Sequence, residues 1–379
     1  MKKKRVGWFL VIVLLACAYS IFTMSELEPE YIQVTVEDSI FEDKFYFQQF
    51  SEEEQLVYKE VYQGVLDSQE AFNVHSNDVD LINELISAIM LDFPAIFWTD
   101  GTGITTTYDE TYISIEPTYI YEGEEKEKRE EEIENETAKI ISQVSTDASE
   151  YEKIKYIYEY LVETVTYVED APDNQNIYSA LVGKESVCAG YARANQYLLE
   201  QLGISCIYVT GMANGQEGVD THAWNIVECD DKFYYVDVTW ADWSWLNEDN
   251  QTTEEIIYDY LCCDEQVLHE THEINEDYVF PQCNSTDLNY YRLHQMYYET
   301  ANRTELLDAA YRTINSKGES TMYKFPNSEI YKEAKELLIN ELIDSSLQHL
   351  CGKYGLREAE CFYEEQDDLN RFIIYWEYE

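Results

Sequence analysis

The chain is poor in basic residues. Its 379 residues carry 25 Lys and Arg against 76 Asp and Glu, a formal net charge of −51 and a pI near 4.2. That shortage excludes a nucleic-acid-binding surface, which needs clustered cations to contact phosphates. Cysteine is also dilute. Nine are scattered at 17, 188, 206, 229, 262, 263, 283, 351 and 361 with no regular spacing, which excludes a disulfide scaffold. There is no internal repeat and no EF-hand-type calcium loop. Zinc-finger cysteines stand two or more residues apart, whereas Cys262 and Cys263 are adjacent. With His269 and His272 they read as ordinary packing, and no metal or cofactor is expected. Cys206 and Cys229 read as buried thiols on strands, with a bridge between them as the alternative.

Aromatic residues are plentiful: 34 Tyr, 14 Phe and 7 Trp, within an apolar fraction of 45%. That supplies a packed core and rules out a disordered acidic chain. The length predicts two or three domains.

Four of the basic residues open the chain as Lys2-Lys3-Lys4-Arg5, and Val6 to Met24 then runs nineteen residues without a charge. A positive flank, an apolar run and an acidic remainder form the pattern of an exported protein. The first reading is an uncleaved signal-anchor over 1–24, with a single N-terminal anchor in the cell membrane and everything after Ser25 extracytoplasmic. Leu14-Leu15-Ala16-Cys17 also resembles a lipoprotein signal lipidated at Cys17, and ordinary cleavage is the third alternative.

Residues 25–50 read as an acidic, aromatic-rich linker. An N-terminal α+β region is expected over 51–147. It holds a helix from the capping-type Ser51-Glu52-Glu53-Glu54, a second over Val79–Leu91, two strand-like runs at Ile104–Tyr108 and Thr111–Ile115, and a Glu-dense solvated helix after Glu122. The central domain spans 148–289. There an amphipathic helix from Ser149 and a helix over Ala189–Leu202 ending at Gly203 precede three strands: Ile204–Thr210, Thr221–Cys229 and Phe233–Thr239. Helix followed by strands predicts an α+β fold with an antiparallel sheet. Two more helices are expected at Glu254–Leu261 and Asp264–His269. Residues 290–379 form a small C-terminal α/β region, with helices at Thr304–Ile314 and Ser328–Leu350 and a strand at Phe372–Trp376.

The chemistry concentrates in the central domain. Cys188 stands at the start of its helix, where the positive end of the dipole and the free N–H groups favour a thiolate. The same N–H groups can stabilise an oxyanion. His222 opens a strand 34 residues later, and Asp237 follows after another 15. A two-residue turn at Asp230-Asp231 puts His222 opposite Thr239, with Asp237 one diagonal step away on the same face. Nucleophile, base and orienter then stand in the order Cys, His, Asp. A loop one residue longer or shorter would separate the last two.

These residues carry a resemblance. Asn176-Ile177-Tyr178-Ser179-Ala180 leading into Leu181–Lys184, Val187-Cys188-Ala189-Gly190-Tyr191-Ala192, His222-Ala223-Trp224-Asn225 and Val236-Asp237-Val238-Thr239-Trp240 resemble the transglutaminase-like superfamily of papain-related thiol enzymes, in its bacterial exported branch. The resemblance covers about residues 150–245. It implies a papain-like core with a nucleophile helix packed on an antiparallel sheet. It also implies Cys188 as nucleophile, His222 as base and Asp237 as orienter, with Tyr191, Trp224 and Trp240 beside the substrate. One departure is Ala241, where the family often has an acidic residue; Asp242 follows instead. Weaker resemblance continues through Asp264-Glu265 and His272 to Tyr290-Tyr291, and back through Asp92-Phe93-Pro94 to Trp98.

The expected activity is cleavage or transfer of an amide acyl group through a thioester on Cys188. The substrate is a protein or peptide at the cell surface, with water favoured over an amine as acceptor. The alternative is a non-catalytic cell-surface binding or scaffold protein that keeps the fold. Trp243 and Trp245, with Trp240, read as core and rim or as a groove for a sugar or peptide.

Overall fold

The computed structural model describes residues 29–108, 111–215, 218–242 and 256–378. The expected anchor, Cys17, Trp243 and Trp245 lie outside these. Among the described residues, no helix is long and apolar enough to cross a membrane. The chain divides into two compact units. One comprises residues up to Lys139 together with Asn176–Val182; the other comprises Ile140–Gln175 and Gly183 onward.

In the first unit, α1 (Glu52–Leu66) begins at a capping box in which the Ser51 hydroxyl accepts from the Glu54 N–H and Glu54 accepts from the Ser51 N–H. Helix α2 (Val79–Asp92) buries Ile82, Leu85, Ala88 and Ile89. Strands β1 (Phe72–Val74), β2 (Thr99–Tyr108) and β3 (Tyr112–Tyr119) form an antiparallel sheet in the order β1-β3-β2. The Glu-dense α3 (Gly123–Ile141) carries i,i+4 pairs such as Arg129–Glu125, the mark of a solvated face.

The expected linker is packed structure over its described part. Phe41, Tyr46 and Phe47 are buried, and Phe41 meets Tyr58, Tyr62 and Phe93 edge-on. The buried Asp92 carboxylate accepts from the Tyr46 and Phe47 N–H groups and from the Tyr58 hydroxyl. Acidic composition suggests a solvated tether, but the interspersed aromatics decide the outcome by burial.

The second unit starts with α4 (Glu150–Thr164), capped by Ser149 and Glu152 and burying Ile154, Ile157, Tyr158 and Leu161. Two short parallel strands, β4 (Thr166–Tyr167) and β5 (Glu185–Ser186), lead into α5 (Cys188–Gln201). An antiparallel sheet follows, of β6 (Cys206–Gly215), β7 (Gly218–Cys229), β8 (Lys232–Val236) and β9 (His272–Ile274), in the order β8-β7-β6-β9. The fold is α+β. Cys206, Cys229, Cys262, Cys263 and Cys283 are all buried free thiols.

The helix expected to end at Leu261 is absent from the described part of that segment. Residues 257–263 run extended and irregular beside β8. Tyr235 and Cys263 exchange backbone bonds in both directions, and the Asp237 N–H donates to Tyr260 O at 3.1 Å. Pairing with the sheet outweighs a weak local helical pattern. A one-turn helix at Glu265–Leu268 is capped by Asp264.

The C-terminal region belongs to this second unit. Helices α6 (Arg303–Asn315), α7 (Ser328–Leu337) and α8 (Ile343–Tyr354) accompany strands β10 (Ser320–Lys324), β11 (Cys361–Gln366) and β12 (Arg371–Trp376), arranged β10-β12-β11. A five-residue π-turn, Leu338–Leu342, joins α7 to α8 inside the single helix expected over Ser328–Leu350. A buried polar group ties this region to the 257–263 segment. Asp259 pairs with Lys324 and accepts from the Tyr291 hydroxyl at 2.7 Å, and Arg371 donates to Tyr291 at 2.9 Å.

Candidate active site

Helix α5 begins at Cys188 because the chain ahead of it is held extended. Val187 has φ −111° and ψ 178°, and the buried Ser186 hydroxyl donates to Asn174 O at 3.0 Å. The first bonds into the helix are made by the Gly190 and Tyr191 N–H groups to Val187 O. The N–H groups of Cys188 and Ala189 therefore open outward at the positive end of the helix. The helix is pinned to the sheet by a buried amide pair. Asn195 Nδ2 donates to Asn225 Oδ1 at 2.9 Å, and Asn225 Nδ2 donates to Ala192 O at 3.1 Å.

Asp230 and Asp231 form the two-residue turn between β7 and β8, both with positive φ (51° and 60°), and Cys229 pairs with Lys232. Such a turn matches the twist of the strands it joins. Asn225 consequently stands opposite Val236, and Asp237 follows one residue beyond the strand. His222 and Asp237 meet, with Nε2 2.7 Å from Oδ2. The Cys188 thiol is half-buried and close enough to the same imidazole to help raise its affinity for a proton. Since Nε2 is taken by the carboxylate, Nδ1 is the ring nitrogen left for the thiol.

Asp237 is fully buried and its acceptor capacity is filled. Oδ1 accepts from the Thr239 N–H at 2.9 Å and the Trp240 N–H at 3.1 Å. Oδ2 accepts from His222 and also from His272 Nε2 at 3.0 Å. Burial opposes the charge on Asp237, but the two imidazoles hold the carboxyl well below the usual carboxylate range. Burial likewise opposes charge on His222. The Asp237 charge and hydrogen bond, with a further contribution from Cys188, outweigh it and carry the imidazole up to about 10.

Among the remaining sequence-singled residues, Tyr191 and Trp224 are buried, each 1% exposed. The Tyr191 hydroxyl donates to Val165 O at 2.7 Å and so ties α5 to the end of α4. The Trp224 ring stacks 5.8 Å from His222, and Trp240 lies 6.1 Å from it. Trp224 and Trp240 thus form a wall beside the imidazole. Gly211, opposite His222 on β6, makes room for this wall: a Cβ there would meet Glu273 O at 2.1 Å and the Trp224 ring at 2.7 Å.

His272 is the residue that motif reasoning left outside the site. It enters on β9, 35 residues after Asp237, and no local spacing connects the two. His222, Asp237 and His272 bring ligand atoms within 4.8 Å of one another, a donor set that a transition metal accepts. Here those atoms are engaged with each other: both Nε2 atoms and Oδ2 are the partners in the two hydrogen bonds.

Residues 137–238 match the family model of the transglutaminase-like superfamily, and the chain carries a domain of that superfamily. Similar solved structures include a TGase, 16% identical over 48% of this chain and 54% of that one, with a TM-score of 0.27. A candidate cysteine protease from Cytophaga hutchinsonii is 13% identical over 36% of this chain and 61% of its own, with a TM-score of 0.25. The chain thus spans less than two thirds of either structure. No curated protein matches the sequence.

Proposed function

We propose that this chain is an extracytoplasmic thiol enzyme that cleaves peptide-like amides through an acyl-thioester on Cys188. The observation that carries the reading is the His222 imidazole bound by Asp237 through Nε2, with the thiol of a cysteine at a helix start near enough to act on the same ring. In the proposed reaction, His222 takes the Cys188 thiol proton and the sulfur attacks the carbonyl carbon, while the outward N–H groups of α5 receive the developing oxyanion. His222 then gives its proton to the departing amine nitrogen as the C–N bond breaks. In the second half, His222 takes a proton from water, the hydroxide attacks the thioester, and the thiolate leaves. Asp237 keeps one tautomer and one ring orientation throughout.

Water is favoured over an amine because it is the acceptor present unless a site excludes it. An amine in place of water would make the same residues a crosslinking acyltransferase. Placement outside the cytoplasm rests on the Lys2–Arg5 flank and the uncharged Val6–Met24 run. The test is a peptide-amide library incubated with the full chain, quenched and weighed by mass spectrometry. An acyl adduct on Cys188 that yields free acid in water supports hydrolysis; adduct absent in both the wild type and a Cys188→Ala control would contradict the reading.

A further inference from the structure

Asp237 Oδ2 is shared. The same oxygen that accepts from His222 accepts from His272, while Oδ1 is filled by two backbone N–H groups. An ionised carboxylate offers about four acceptor positions, so the four donors leave it no alternative orientation. His272 is itself immobilised: its side chain is fully buried, and its ring lies 4.6 Å from Trp240, 5.1 Å from Trp224 and 5.6 Å from Tyr260. Its Nδ1 stands 2.8 Å from the Thr271 hydroxyl, which in turn lies 3.2 Å from the Tyr260 hydroxyl. A hydroxyl donating to Nδ1 keeps the N–H on Nε2, facing Asp237. β9 reaches this place by pairing Ala213 with His272, beside the position where Gly211 clears the way.

We propose that His272 is a positioning residue for the Cys188–His222 pair: it fixes the Asp237 carboxylate and divides its charge between two imidazoles. The proposal rests on the thiol-enzyme reading above and deepens it, because it names what sets the basicity of His222. With one donor more on the carboxylate, His222 receives less than the whole of its charge and gives up its proton more readily. His222 faces Asp237 and Cys188, with the His272 ring 5.3 Å away. His272 faces Asp237, His222 and Tyr260. Tyr158, Tyr167, Tyr260 and Cys263 also feel the Asp237 charge. Burial pushes each of them up and keeps them protonated, so none competes for its role.

The test is the rate of Cys188 alkylation by iodoacetamide across pH in the full chain, wild type beside His272→Phe and His272→Gln. Glutamine keeps an N–H donor where the imidazole Nε2 stood. The upper inflection, where His222 loses its proton, is expected to rise by about one pH unit in His272→Phe and to return to the wild-type position in His272→Gln. Should the phenylalanine variant fail to fold, the near-isosteric Thr271→Val removes the partner of Nδ1 and is expected to move the same inflection upward. An unmoved inflection in folded His272→Phe or Thr271→Val overturns the proposal, as does a glutamine variant shifted as far as phenylalanine. A wild-type profile indifferent to His222→Ala would overturn the thiol-enzyme reading as well, which separates the two failures.

Discussion

Two buried aspartates, one in each unit, show how partners decide what a carboxylate can do. Asp92 is 3% exposed and Asp237 0%, so desolvation opposes both charges. Asp92 receives two backbone N–H groups and a tyrosine hydroxyl, with Lys44 contributing only through its charge. Burial prevails there and carries it up to about 6, although every partner pulls the other way. Asp237 receives two backbone N–H groups and two imidazoles, and it lies well below the usual range. The neutral donors are similar, so the difference lies in the imidazoles. Asp92 clips the Tyr46–Phe47 turn to the end of α2, a structural duty. Asp237 holds a group that can take and give a proton.

The comparison breaks most visibly at Asp237. Asp237→Asn keeps an acceptor for the Thr239 and Trp240 N–H groups but turns an amide NH2 toward two imidazole N–H groups. We expect amide cleavage to fall by about 10³- to 10⁴-fold with the fold retained, as when a triad orienter is lost elsewhere. Steady-state kinetics beside circular dichroism checks it.

Asp92 should affect stability instead. A carboxyl near 3.9 unfolded and about 6 folded binds more protons in the native state between those values, so stability falls as pH rises through that window. The loss amounts to roughly 3 kcal/mol at most. Asp92→Asn should flatten that slope in urea melts at pH 4, 5, 6 and 7, with no change in the activity of the folded fraction. The Asp237–His222 pair has the opposite sign on the acid side. The depressed carboxyl contributes stability above about 3.9 that is lost as pH falls. The raised imidazole contributes stability below about 6.5 that is lost as pH climbs toward about 10.

The smallest effect sharpens the contrast. Lys44 is the one cation that lowers Asp92, and it is the weakest of the causes. Lys44→Met should move the Asp92 midpoint upward by less than about half a unit, read from the same urea series. A large shift would mean that charge, rather than neutral hydrogen bonds, also governs the structural aspartate.

The same contrast separates what the sequence makes legible from what it does not. Cys188, on a separate helix, joins His222 and Asp237 in the sequence only through the resemblance of the motif blocks. His222 and Asp237 could be placed together because their relation is local, a hairpin whose register follows from Asp230-Asp231. The share of Asp237 taken by His272 could not. It depends on an irregular segment pairing with β8 and on β9 joining β6, both long-range contacts with no periodic signature. The Ile257–Leu261 stretch carries helical spacing, yet the Ile257 N–H donates to Ala241 O and Tyr260 O accepts from the Asp237 N–H, both in the chain that follows β8. Residues 29–50 hide a packed role behind acidic composition, because Phe41, Tyr46 and Phe47 act through partners more than a helix away. Tyr191 and Trp224 lie within the motif blocks, and their burial follows from contacts that position in the sequence does not reveal.

The central claim is that Cys188 is a nucleophile activated by His222. Its most direct measurement is the alkylation rate of Cys188 by iodoacetamide between pH 4 and 9, located by peptide mass mapping, in the full chain and in His222→Ala. The account predicts fast, selective labelling of Cys188 that persists on the acid side and slows markedly when His222 is removed. Slow labelling, with the same pH dependence in both proteins, would contradict it.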